Sequence, residues 1–228
     1  MATKPIVAWS HSVIEMFENC PRKYWAVRIQ KCVSDVNNFN LGGDVEHDAL
    51  MHYMKQGLPP PERLQPLIPL MDKIRSAPGQ LYVEHKMTLD NDFMPCGFKD
   101  WDRAWVRGAA DVINVNGDHA SYFDWKSGKA SYPKESQIEL TSLLIFAHFP
   151  HVQSVSGGLV FYRHNKIHPL VVRRGEAPLL WNKFLTTVKQ IEEAIQTKTF
   201  EPTPNPLCGW CPYAKCQFNT NKNLPPQT

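Results

Sequence analysis

Apolar positions along this chain recur first with a helical period, then with the period of strands, and the change falls near Gly79. Ser12-x-x-Glu15 has the form of a capping box ahead of Val13, Ile14, Met16 and Phe17, so a helix is expected to begin near Ser12. Pro21 interrupts it, and Arg22 to Gln30 continues as a second helical segment, since proline is tolerated at a helix start. Asp35 to Asn40 is polar and loop-like. Val45, Ala49, Leu50 and Tyr53 then predict a helix from Gly43 to Gln56, ended by Pro59, Pro60 and Pro61, with another short helix over 62–75.

After Gly79, Leu81 to Leu89 alternates as a strand should. Trp101 to Val106, Ala109 to Val115 and Ala120 to Trp125 are further strands, the last two joined by a hairpin turn at Asn116-Gly117. Glu135 to His148 carries a helical stripe through Ile138, Leu140, Leu144, Ile145 and Phe149. Two strands, 155–162 and 167–172, surround a turn near Asn165, and Ala177 to Thr197 is the longest helix. The tail from Pro202 holds six of the 19 prolines and is expected to be irregular. The order predicts one α/β domain: a central mixed sheet with a helical N-terminal part (1–78), a core (79–200) and a tail (201–228).

Composition leaves that picture intact. The 228 residues are 43% hydrophobic and 21% charged, an ordinary globular make-up. No apolar run approaches the ~20 residues that span a bilayer, and the N-terminus lacks the pattern of a secretory signal, so a cytoplasmic location without membrane partners is expected. The net charge of +3 means that any polyanion site is a local patch rather than a whole face. Three of six cysteines, Cys208, Cys211 and Cys216, crowd one short stretch on a C-x2-C core, which suits metal ligation better than disulfides; Cys32 and Cys96 read as small hydrophobes.

The sharpest chemistry lies in the hairpin. Asp111 is placed at the start of one strand; Asp124 and Lys126 end the next, two apart and so on one face. A turn at Asn116-Gly117 brings Asp111 nearly opposite Asp124. Two carboxylates so close repel unless a divalent cation lies between them, and a lysine beside that cation can orient water or stabilise charge on a phosphate.

Around this hairpin the chain resembles the PD-(D/E)xK nuclease superfamily, in particular the RecB-like branch that includes the AddB nuclease domain and the CRISPR-associated four-cysteine nucleases. The resemblance runs in order through Trp9-Ser-His-Ser12…Phe17…Cys20-Pro-Arg-Lys-Tyr24, Gly42/Gly43 to His47, Val83-Glu84, Gly108-x-x-Asp111, Phe123-Asp124-Trp-Lys126-Ser-Gly-Lys129 and Gln137. It implies a restriction-endonuclease-like fold, a sheet flanked by helices with the two chain ends clasped together. It also implies that His47, Asp111, Asp124 and the carbonyl of Trp125 ligate Mg²⁺ or Mn²⁺. Lys126 would be the catalytic lysine, Glu84 would stand at the site's edge, and Gln137 would position the DNA strand or the carboxylates. Ser127 replaces the usual Thr, and Thr141 stands where the family often has a Tyr. Cys20 joins Cys208, Cys211 and Cys216 in the implied [4Fe–4S] site, with Zn²⁺ as the alternative because the last gap is only C-x4-C.

The implied activity is a DNA exonuclease acting on ends or single strands through the backbone. The alternatives are a non-catalytic nucleic-acid-binding protein on the same fold and a structure-specific endonuclease such as a junction resolvase. Lys129, Lys134, Arg107 and Arg163 are candidate DNA contacts, with Trp101, Trp105, Trp125 and Tyr132 as stacking candidates. A phage or a prokaryotic repair or defence system is the expected setting, with a recombination or CRISPR-like protein as partner.

Overall fold

The computed structural model describes residues 8–32 and 41–221; the polar loop expected over 35–40 lies outside them. The chain divides into two compact units, one formed by residues 38–181 and the other by 1–37 with 182–228.

The first unit is built on a five-stranded mixed sheet in the order β1-β2-β3-β4-β5. Its strands are β1 (Gln80–Leu89), β2 (Val106–Asn116), β3 (His119–Lys126), β4 (Ser154–Phe161) and β5 (Lys166–Arg173). All neighbours pair antiparallel except β3 and β4, which are parallel and need the crossover that α5 (Glu135–His148) supplies. The β2–β3 turn is Gly117-Asp118, with Asn116 paired to His119, so it sits one residue beyond the expected Asn116-Gly117. Gly117 takes φ +58, the sign a two-residue hairpin loop requires at its first position.

Helices cover both faces of the sheet. α3 (Leu41–Gln56) and α4 (Ile68–Arg75) bury Leu50, Met51, Met54, Met71 and Ile74 against Val112, Trp125 and Val160. α5 lies on the other face, where two glycines admit it: a Cβ on Gly157 would come within 2.1 Å of Ile138 Cγ2, and one on Gly108 within 2.4 Å of Leu144 Cδ1. The glycine of the G-x-x-D segment therefore has a packing reason. Arg174 closes the C-terminal end of α5, donating to the carbonyls of Phe146, Phe149 and Val152.

The strand expected over 101–106 is not formed. Gly97 to Arg103 is a series of turns held by Asp100, whose carboxylate accepts from the Arg103 N–H, and pairing resumes only where Val106 faces Leu89. Trp105 and Trp125, expected as stacking residues, are buried in the core, while Trp101 (70% exposed) and Tyr132 (87%) do face solvent.

In the second unit, α1 (His11–Asn19) is capped by Ser10, whose hydroxyl accepts from the Val13 N–H. The cap lies two residues earlier than the Ser12 motif suggested. Cys20 is extended, and Pro21 opens α2 (Pro21–Tyr24), which runs into a π-turn over Trp25–Ile29. α6 (Ala177–Thr197) begins in the first unit and crosses into the second at Asn182. The tail forms a short 3₁₀ turn, Pro206–Trp210, and is tied to the N-terminal segment by Asn205, whose side chain donates to the Asn19 carbonyl at 2.9 Å. Cys32 is exposed and Cys96 partly buried. Among the described residues no helix is long and apolar enough to cross a membrane.

Candidate active site

The sheet is irregular at one place, and the acidic residues sit there. On β1, Val83 pairs with Val112 and His85 with Ala110, but Glu84 and Asp111 between them make no regular pair. Glu84 takes φ +52, a left-handed conformation costing a non-glycine residue about 1–2 kcal/mol. The alternation of faces slips as a result: Tyr82 and His85, three apart, both pack on Phe149, with ring centroids at 5.1 and 5.8 Å. Asp111 lies midway along β2, not at its start.

The β2–β3 ladder stops at Val112–Phe123, so the residue that would next face Asp111 is Asp124. Instead of a backbone pair, the Trp125 N–H donates to Asp111 Oδ2 at 2.8 Å. The strands part here while β3 stays paired to β4 as far as Lys126–Phe161. Glu84, Asp111 and Asp124 thus occupy one row across three strands.

Each carboxylate has its own company. His47, from α3, brings Nε2 to 2.9 Å from Asp111 Oδ1. Asp124 is only 5% exposed; its Oδ1 accepts from Tyr122 Oη (3.0 Å) and Gln137 Nε2 (2.7 Å). Lys126 Nζ stands 2.7 Å from Asp124 Oδ2, a close ion pair in which the ammonium is poorly aligned with that oxygen. Glu84 pairs with Lys55. Burial pushes the Asp124 carboxyl above the ordinary range, Lys126 opposes this and the charge of Asp111 reinforces it. The bond to Asp111 raises His47 above its usual value against the opposing effect of burial.

This donor set fits a hard divalent cation. It offers two adjacent carboxylates and an imidazole, and the buried Oδ2 of Asp124 lacks an aligned donor. Among the described residues, no three His, Cys, Asp or Glu side chains already surround a common point.

Two contributors have no counterpart in the motif reading. Tyr122 was legible by parity, being two before Asp124 on the same strand face. Thr141 lies near the Tyr122 hydroxyl. The other is Glu46, which falls with Leu50 and Tyr53 on the buried stripe of α3 and is 4% exposed. Its Oε2 accepts from Tyr162 Oη (2.7 Å) and from Arg163 Nε (3.0 Å) and Nη2 (2.6 Å), while Arg63 Nε lies 3.0 Å from Oε1. Burial alone would raise the Glu46 carboxyl, but these partners outweigh it and hold it below the ordinary range. A depressed carboxylate contributes stability above its unfolded value, about 4.3, and loses it as pH falls through the lower folded value. The melting temperature of the parent is therefore expected to exceed that of Glu46→Gln at pH 7, the gap closing as melts are taken down to pH 3.

Of the candidate DNA contacts, Lys129 is exposed in the loop after β3, Lys134 precedes α5, and Arg163 is turned onto Glu46. Arg107 stacks on Trp101, its Cζ 3.8 Å from the ring centre.

In the second unit, Cys20, Cys208, Cys211 and Cys216 line one cavity of about 170 Å³. Backbone N–H groups of Thr203 and Asn205 point at the sulfurs of Cys20 and Cys208, each at 3.5 Å. Burial pushes the Cys211 thiol up, and Cys20 and Cys216 are close enough to act on it.

No curated protein matches the chain. Among solved structures, the crystal structure of SSO0001 is similar over 95% of this chain and 89% of its own, at a TM-score of 0.50 and 14% identity, which is a likeness of fold. The structure named "Putative exonuclease" from Eubacterium rectale is similar over 92% and 88%, at a TM-score of 0.49 and 12% identity. The sequence pattern of one family spans residues 8–216, nearly the whole chain and every site residue named above. With the carboxylate row and its lysine in place, that match settles the kinship: the chain belongs to the PD-(D/E)XK nuclease superfamily.

Proposed function

We propose that the protein is an Mg²⁺- or Mn²⁺-dependent deoxyribonuclease that digests DNA from ends or in single strands. The observation that carries this reading is the buried Asp124 oxygen beside Lys126 Nζ, within the row formed with Glu84 and Asp111. His47, Asp111, Asp124 and the Trp125 carbonyl would hold the ion, which when bound supplies charge neutralisation at the phosphate and a more acidic water. Lys126 places an ammonium, held beside the buried Asp124, where negative charge develops on the phosphoryl oxygens. Gln137 and Tyr122 hold Asp124 in one rotamer by donating to Oδ1, leaving Oδ2 turned to the reacting groups. Glu84 stands at the edge, kept there by Lys55 and by its own backbone conformation.

The preference for ends or single strands rests on the resemblance to RecB-like nucleases. It is tested by digesting 5′- and 3′-labelled single- and double-stranded DNA with each metal. Stepwise shortening from one end is expected; an unchanged substrate under every condition would leave a binding protein on a nuclease fold, and cuts confined to junctions a resolvase.

The reading extends to a [4Fe–4S] cluster on Cys20, Cys208, Cys211 and Cys216. The four sulfurs line one cavity, and the choice of a cluster over a single zinc ion rests on the resemblance to the four-cysteine nucleases. Protein purified without oxygen is expected to be brown, with broad absorbance near ~400 nm that Cys208→Ser abolishes. A colourless protein carrying zinc would replace iron in this assignment.

A further inference from the structure

The network on Glu46 does more than satisfy a buried carboxylate. Tyr162 and Arg163 already give its Oε2 three donors. Arg63, on the other oxygen, is 61% exposed, so its pairing with the buried Glu46 leaves most of the guanidinium in water. Arg163 is 47% exposed and spends only its Nε and Nη2 edge on Glu46. One carboxylate faces two guanidiniums, so the group keeps a net positive charge, and both arginines retain N–H edges toward solvent.

The group also lies beside the candidate active site. Glu46 directly precedes His47 on α3. Tyr162 follows Phe161, the residue paired with Lys126, and its hydroxyl lies near Ser127, the residue after Lys126. One phenol thus stands beside both the carboxylate that orients the arginines and the strand end carrying the lysine. A guanidinium held from one edge presents its other edge as a flat fork, the geometry that matches a phosphate.

We propose that Arg63 and Arg163, aimed by Glu46, form a two-guanidinium clamp for the phosphodiester backbone of the DNA strand entering the Asp111–Asp124–Lys126 site. The clamp deepens the nuclease reading and rests on it for the identity of the strand. It reads no base, so it serves any sequence. Arg63 and Arg163 are substrate-binding residues, and Glu46 is a positioning residue.

The test is equilibrium binding of a labelled single-stranded oligonucleotide, followed by anisotropy across a salt series, with Asp124→Asn as the uncleaving parent. Arg63→Ala and Arg163→Ala are each expected to weaken binding about 5- to 10-fold at low salt. Each should also lower the slope of log affinity against log salt by about 0.7, the share of one phosphate contact on a single strand. Arg63→Lys should keep the slope, since the charge remains. Arg63→Ala should stay folded, because its side chain is largely exposed and Glu46 keeps its three donors from Tyr162 and Arg163; it decides the matter even if Arg163→Ala is unstable. Parental affinity and slope in Arg63→Ala, or no binding by the parent, overturns the clamp. Protein with Asp124 intact that binds through these arginines but never cleaves, in Mg²⁺ or Mn²⁺, overturns the nuclease reading and leaves the clamp standing.

Discussion

Asp124→Asn is expected to lower the rate of phosphodiester cleavage by about 10³-fold or more while leaving the fold intact. The amide keeps the shape of the side chain and an oxygen for Tyr122 and Gln137, so the local hydrogen bonds survive. What it loses is the negative charge, and with it the anionic ligand for a divalent ion; several kcal/mol of transition-state stabilisation corresponds to about three powers of ten. The same change is expected to raise the melting temperature, by about 2–4 °C if it relieves about 1 kcal/mol. Burial and the neighbouring Asp111 both make the ionised Asp124 costly, and Lys126, one-third exposed, can turn to solvent when its partner is gone. Single-turnover digestion together with calorimetry checks both halves. Parental cleavage would remove Asp124 from the reaction, and a large fall in melting temperature would make it a structural residue.

Gly157→Ala is expected to destabilise the protein by about 1–3 kcal/mol, a fall in melting temperature of about 2–10 °C, and to reduce cleavage as well. A Cβ at 157 would sit 2.1 Å from Ile138 Cγ2, and Ile138 is fully buried with a β-branched side chain that has little rotamer freedom. The helix must therefore move off the sheet, carrying with it Gln137, whose amide holds Asp124. Ile138→Ala removes the clashing methyl, so the double variant should be more stable than the sum of the two single changes predicts. Strict additivity would show that the glycine is not a packing requirement. Lost stability with parental cleavage would show that α5 shifts without disturbing Gln137.

Much of the fold was legible because local signals and tertiary packing agree. Both ends of α5 and α6 match the expected helices, α6 through an apolar stripe and α5 through a run buried on all sides from Leu140 to Phe146. Where they disagree, local pattern misleads. Ser12 has the capping-box partner at Glu15, yet Ser10 takes the cap; the two hydroxyls are 3.0 Å apart. The run from Trp101 to Val106 is apolar enough for a strand, but Asp100 turns the chain and Trp105 is drawn into a cluster with Phe93 and Trp181. Arg107 carried a DNA-contact expectation that its stacking on Trp101 neither required nor announced.

By itself the sequence determined the fold class, the order of the motifs and a set of candidate site residues. Asp124 and Lys126 follow from their spacing, two apart on one strand, and the others came with the resemblance. Only the tertiary structure decided how these residues meet. The irregularity at Glu84 and Asp111, the Trp125 N–H turned onto Asp111, and Glu46 gripping Arg63 and Arg163 all join residues far apart in the chain. No period of 2 or 3.6 encodes such pairings. They exist because buried carboxylates must find donors wherever packing brings them, and that search ends only when the sheet and its helices have closed.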